Sequence, residues 1–273
     1  MSLPDLRGAN ALLTGGSQGL GPRIAHALAA RGVNLALAAR SAGKLEAVAA
    51  DLKPFGVAVA VIAADVTRPE DRARLAAQAE AALGPLDLLI NNAGVELNSR
   101  FERKTEAEID QIIATNVLGP LQLTRLVLPG MLARRRGHIV NLGSMAGKLG
   151  TPFGSVYGAS KAALMAWSWA LRVELQGTGV SVSLINPGLV SETGLFAYHQ
   201  TRPHLLLGQV TPEAVVQAVM RAITRDAPIV DVYPRLFKTY ELLNLLSPAT
   251  VMRLQRLLGV RDWLKRVYDK EPP

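Results

Sequence analysis

Cysteine is absent from the 273 residues of this chain, which excludes disulfides and thiolate chemistry. Long hydrophobic runs are absent too. The longest candidate near the C-terminus, Leu242 to Met252, has 11 residues, about half of what a bilayer crossing needs. Met1 to Asn10 lacks the charged segment and apolar core of a signal peptide. No low-complexity stretch or linker interrupts the apolar periodicity, and no internal repeat is visible. These absences predict one cytoplasmic domain with no metal site. The formal charge of +8 fits an anionic cofactor, an anionic lipid or a nucleic acid. No nucleic-acid module is present, however, and charge speaks to association rather than fold. Arg134-Arg135-Arg136, just before Gly137, reads as the basic end of a helix meeting its macrodipole.

What the chain does have is a regular alternation. Short apolar runs at 9–13, 34–38, 58–62, 86–90, 138–142, 181–185 and 229–232 read as strands. Helix-period segments lie near 20–31, 42–53, 69–82, 105–135, 155–176 and 212–224. Continuous rather than alternating apolar strands are buried on both faces, as in a parallel sheet between helices. The pattern predicts a doubly wound α/β sandwich, which binds ligands beyond the carboxyl ends of its strands.

The residues that follow those strands carry the chemistry. After the first comes Thr14-Gly15-Gly16-Ser17-Gln18-Gly19-Leu20-Gly21. Its glycines permit a tight turn and the approach of a pyrophosphate to a helix N-terminus. After the second stands Arg40, where an acidic residue would bind a ribose 2′-hydroxyl. A guanidinium there suits a 2′-phosphate, so NADP(H) is expected over NAD(H). Asp65 and Val66 follow the third strand, at the expected adenine edge, and Asn91-Asn92-Ala93-Gly94 follows the fourth.

Ser144 follows the fifth strand, and Tyr157 and Lys161 open the next helix four residues apart, on one face. A phenol titrates near 10, and a neighbouring ammonium lowers that value. Reaching pH 7 takes roughly 4 kcal/mol, within reach of one close charge plus a cationic cofactor. The spacing predicts a tuned acid/base, although a Tyr and a Lys at this distance also occur by accident on surface helices.

Together these residues resemble the short-chain dehydrogenase/reductase family, over about Leu6 to Val232. The likeness rests on the glycine turn, Asp65, Asn91-Asn-Ala-Gly94, Asn116, Ser144, Tyr157-x3-Lys161 and Pro187-Gly188. It implies a Rossmann fold and a catalytic set of Asn116, Ser144, Tyr157 and Lys161. Tyr157 would exchange the alcohol proton, with Lys161 lowering its pKa and holding the nicotinamide ribose. Ser144 would orient the carbonyl, and Asn116 would complete a water-linked proton relay. Pro187, Gly188 and Val190 would border the cofactor. The family's carboxamide threonine falls on Glu192 here, so Thr193, one residue later, takes that role by expectation.

The tail departs from the family's fatty-acid reductases, which end soon after the last strand. Residues 1–233 read as the dinucleotide-binding and catalytic part and 234–273 as a helical extension of the same domain. From Tyr233 onward eight basic residues face four acidic ones, and apolar stripes recur at helical spacing. Such a stripe docks on its own domain or a partner, or lies in a membrane interface. The loop from Leu189 to Val210, with Leu195, Phe196, Tyr198 and Leu205–Leu207, stands where the family builds its substrate lid. The expectation is a homo-oligomeric, NADP(H)-dependent reductase of a hydrophobic ketone. The competing expectation is a dinucleotide-binding scaffold without catalysis, whose sequence mark would have been loss of Tyr157 or Lys161.

Overall fold

The computed structural model describes residues 3, 5–192 and 208–268. Seven strands form one parallel sheet in the order β3-β2-β1-β4-β5-β6-β7. They are β1 (Asn10–Thr14), β2 (Asn34–Ala39), β3 (Val59–Ala63), β4 (Leu88–Asn91), β5 (Gly137–Leu142), β6 (Val180–Pro187) and β7 (Ile229–Val232). Each matches an apolar run of the sequence to within two residues at its ends. Period-two side-chain alternation feeds two cores. Leu13, Leu35 and Leu37 pack with α1 (Leu20–Ala29), α2 (Ala42–Leu52) and α7 (Pro212–Arg225). Leu12, Ala36 and Ala38 pack with α3 (Pro69–Leu83), α5 (Gly119–Ala133) and α6 (Ser155–Glu174) on the other face.

Strand order reverses between β1 and β4, which are neighbours in register Leu12 to Leu89. A crevice opens at such a reversal beyond the strand ends. Thr105 starts α4 (Glu106–Ile113) with a reciprocal capping box to Glu108. The single helix expected over 105–135 is divided, because a π turn at Ala114–Leu118 separates α4 from α5. The arginine triplet closes α5 as anticipated. Arg134 donates to Leu86 O at 2.7 Å, Arg135 to Gly177 O at 2.8 Å and Arg136 to Asp87 at 2.8 Å.

Beyond β7 the chain forms α8 (Arg235–Leu246), α9 (Pro248–Leu257) and α10 (Val260–Tyr268). Inward residues dock this tail on the sheet's carboxyl edge. Val260, Trp263 and Leu264 pack on Phe153 and Leu189, and Phe237 packs on Met145 and Tyr233. Lys148 fastens α8 polarly, its Nζ lying 2.9 Å from both Asp231 and Glu241. Of the two uses a basic apolar stripe can have, the inner faces are spent on docking.

Candidate active site

A cavity of about 1220 Å3 runs along the carboxyl ends of the strands. That exceeds the roughly 300–1,000 Å3 of a typical single-ligand site, leaving room for two ligands side by side. One arm is lined by Gly15, Ser17, Gln18, Gly19 and Leu20. Here the backbone leaves no alternative to glycine. Gly15 has φ +67°, and a Cβ on Gly21 would stand 2.1 Å from Gly15 O. The resulting turn presents the N-terminus of α1, a natural seat for a pyrophosphate.

Arg40 and Lys44 both line the outer end of this arm. Lys44 was not anticipated. Its one signal is its place four residues after Arg40, in the first turn of α2. Asp65 and Val66 line the next stretch, but the Asp65 carboxylate is engaged locally, accepting from Thr67 N at 2.9 Å and Thr67 Oγ1 at 2.8 Å. What it offers the cavity is therefore a rigid turn.

Asn92, Ala93 and Gly94 line the middle. Asn92 Nδ2 donates to Thr14 O and Gly15 O, both at 3.0 Å. Thr14 Oγ1 accepts from the backbone of Asn92 and Ala93, both at 3.1 Å. These bonds lock the β4 turn to the glycine turn. Behind them Asn91 donates to Asn141 at 2.8 Å and Asn141 to Ser168 at 2.8 Å, tying β4, β5 and α6 together.

Ser144, Tyr157 and Lys161 meet where this arm joins a second, apolar one. Lys161 Nζ donates to Leu142 O at 2.7 Å and lies 5.8 Å from the centre of the Tyr157 ring. Burial pulls its pKa down to about 8, against a smaller opposite pull from Glu96. The Tyr157 phenol goes up instead of down, because burial dominates, Glu96 adds to it and a hydrogen bond with Ser144 only partly offsets them. The expected depression by Lys161 is thus not present in the protein alone. The ammonium donates to a carbonyl, and a carboxylate absent from the sequence reading stands nearby. Glu96 lines the cavity and accepts a hydrogen bond from Asn98.

Asn116 lies in the π turn, fully buried. Its amide accepts from Val95 N at 2.9 Å and donates to Val95 O at 2.9 Å and Ser160 Oγ at 3.0 Å. It holds the segment after Gly94 in place, and its side chain does not reach the cavity wall. Gly21 likewise stays behind the wall. Pro187, Gly188 and Val190 line the cavity, Gly188 N bonding Val232 O at 2.8 Å and Val190 bridging to Val210. Glu192, with φ 59°, sits 3.7 Å from Arg23. Thr193, Leu195, Phe196, Tyr198 and Leu205–Leu207 lie outside the described residues. The apolar arm is walled by Leu149, Leu189, Phe237, Leu243, Val260 and Leu264, so four of these six residues come from the tail.

The model of the short chain dehydrogenase family matches residues 9–203. The chain belongs to the short-chain dehydrogenase/reductase family. It is 41% identical over 266 residues to the ketoacyl reductase HetN of Nostoc sp. (strain PCC 7120), spanning 96% of this chain and 93% of that one. A metagenomic short-chain oxidoreductase solved in complex with NADP superposes with a TM-score of 0.71 at 32% identity, over 84% of this chain and 96% of the other. A bulky-bulky ketone specific alcohol dehydrogenase from Comamonas testosteroni gives 0.75 at 26% identity, over 87% and 91%. The chain is therefore an oxidoreductase of this family on a Rossmann-type sheet.

Proposed function

We propose that the protein is an NADP(H)-dependent oxidoreductase interconverting a hydrophobic ketone and its secondary alcohol, with Tyr157 as the acid/base. One observation carries this reading: Ser144, Tyr157 and Lys161 stand at the junction of a glycine-turn arm and an apolar arm of one cavity. The first arm fits a dinucleotide. Gly15 and Ser17 to Leu20 would seat the pyrophosphate, and Asp65 and Val66 the adenine. Arg40 and Lys44 would hold the 2′-phosphate. Asn92 to Gly94 and Lys161 would border the nicotinamide ribose, with Pro187, Gly188, Val190 and Thr193 around the carboxamide. Two cations and no carboxylate at the end of β2 support NADP(H) over NAD(H), as does the relative solved with NADP.

The nicotinamide, when bound, supplies or takes up the hydride. The chain's part is the proton and the orientation. Tyr157 and Ser144 donate hydrogen bonds to the carbonyl oxygen as charge grows on it, and the phenol then gives up its proton to that oxygen. A raised phenol pKa keeps the donor protonated at neutral pH, which suits reduction. The tail gives the apolar arm most of its apolar walls. The apolar walls support a lipid-like or polycyclic ketone, and the ketoacyl reductase relative supports an acyl-borne ketone within that class.

Exposed apolar residues on α5 and α6, Leu126, Trp169 and Val173 among them, support a homodimer through the helix that bears Tyr157. The test is NADPH oxidation against ketones graded from short and polar to long-chain and polycyclic, with Tyr157→Phe as control. Turnover should rise with apolar size and vanish in the variant. A strict preference for small polar carbonyls would sink the substrate class.

A further inference from the structure

The tail's outer faces are unlike its inner ones. On α8 the exposed residues include Lys238, Leu242, Leu245 and Leu246, the last two 75% and 77% exposed. On α9 they include Ala249, Met252, Arg253, Arg256 and Leu257, at i, i+3, i+4, i+7 and i+8, one continuous helical stripe. Met252 is 69% and Leu257 83% exposed. Helix α10 adds Arg261, Lys265 and Arg266. Among the described residues of 235–268 only Asp262 is an exposed acid, because Glu241 is taken up by Lys148. An apolar stripe flanked by cations matches an interfacial helix on an anionic bilayer. A second copy would set one basic face against another, which electrostatics opposes.

The same helices wall the apolar arm. Leu236 lines the cavity and is also 55% exposed, so the arm reaches solvent at α8. The helical stretch 106–133, long and apolar enough to cross a bilayer, instead gives Leu123, Val127 and Met131 to the core. That stretch is therefore a core helix rather than a span.

We propose that the outer faces of α8 and α9, with the cations of α10, dock this protein on an anionic lipid surface, with the apolar arm opening beside it. Docking stands on exposure and charge. Only its purpose, admitting a substrate dissolved in the bilayer, rests on the hydrophobic-ketone reading. The contact is peripheral and reversible, since leucines enter the headgroup boundary while the sheet stays in water.

The test is co-sedimentation of the full chain with phosphatidylcholine vesicles, with and without phosphatidylglycerol, across a salt series. Binding should require phosphatidylglycerol and weaken as salt rises. Replacing Arg253 and Arg256 by Gln should weaken it roughly 25-fold at low salt, about fivefold per cation. The double variant Leu245→Asp/Leu246→Asp should abolish it. None of these residues lines the cavity, so NADPH binding and turnover of a water-soluble ketone should persist, which reports that the variants fold. Failure to bind either vesicle overturns the proposal, as does equal, salt-insensitive binding to both. A concentration-dependent dimer that disappears in the leucine variant also overturns it, by giving the face to a second copy. Vesicle binding without turnover of any ketone would sink the reductase reading and leave the docking surface standing.

Discussion

Two Lys–Tyr pairs flank the carboxyl end of β5, and their geometry is nearly the same. Lys161 lies 5.8 Å from the Tyr157 ring centre and Lys148 lies 5.6 Å from that of Tyr233. Their partners differ. Lys148 meets Asp231, Glu241 and the Tyr233 hydroxyl, at 2.9, 2.9 and 3.1 Å, and Tyr233 in turn donates to Glu241 at 2.6 Å. Lys161 bonds the Leu142 carbonyl, and its tyrosine shares a cavity with it. Burial pushes both phenols up, with Glu241 and Asp231 adding to it at Tyr233 and Glu96 at Tyr157. A cation ringed by carboxylates holds the tail down, whereas one left facing a cavity is available to a ligand. Residue type and spacing do not separate the two roles; the surrounding acceptors do.

Exchanging the pairs in function is the most direct way to break this comparison. Tyr157→Phe and Lys161→Met should each lower kcat/KM for the best ketone on the order of 10³-fold, the loss of a positioned proton donor and of its organiser. Tyr233→Phe should leave it near the wild-type value. A large loss in Tyr233→Phe would show that the tail pair is also chemical. A third cation, Arg40, is exposed at the far end of the cavity. Arg40→Asp should cut the preference for NADPH over NADH by about 10–100-fold, the worth of one charge-assisted bond, read as the ratio of the two kcat/KM values.

Stability should respond in opposite directions. Lys148→Met strands two partly buried carboxylates and should cost about 2 kcal/mol, less than a fully buried pair would, seen in denaturant melts. Lys161→Met removes a buried cation with a folded pKa of about 8, against 10.5 for an ordinary lysine. Between those values the unfolded chain holds more protons, so wild-type stability should rise with pH through that window. At pH 7 the variant should be the more stable of the two in the same melts while nearly inactive. The Asp231 carboxyl behaves conversely. Its burial is outweighed by bonds from Asn186, Lys148 and Tyr233, which hold its pKa below the usual carboxylate value. Its contribution is present at neutral pH and should fade as acid takes the pH through that lowered value. The smallest expected effect belongs to Glu96→Gln. Removing the charge that raises both Tyr157 and Lys161 should move the pH–rate profile to lower pH, measured with the same ketone.

Much of this was legible in the sequence. The strands were readable because buried parallel strands are short, continuous apolar runs. Gly15, Ser144, Tyr157 and Lys161 were readable because they follow those runs at fixed offsets. The direction of the Tyr157 shift was not, since i, i+4 spacing shows that two groups share a face and leaves open whether Nζ bonds a carbonyl instead. Glu96 and Lys44 escaped because neither sits in a motif; turns that only the folded sheet defines bring them to the cavity. The tail's stripes were visible, but one amphipathic pattern serves a core and a membrane alike. Only packing shows that Val251 and Trp263 face inward and Leu257 does not.

The π turn at Ala114–Leu118 has a consequence for lineage and for engineering. One surplus residue there offsets the phase of α5 from that of α4 by about 100°. Leu123, Val127 and Met131 thereby meet the sheet while Asn116 still grips Val95. Substitutions in this stretch disturb the contacts of one side chain and leave the helix phase unchanged. A single-residue deletion would keep the segment helical, yet it would rotate one of these faces out of place. The segment therefore tolerates changes of letter far better than changes of length.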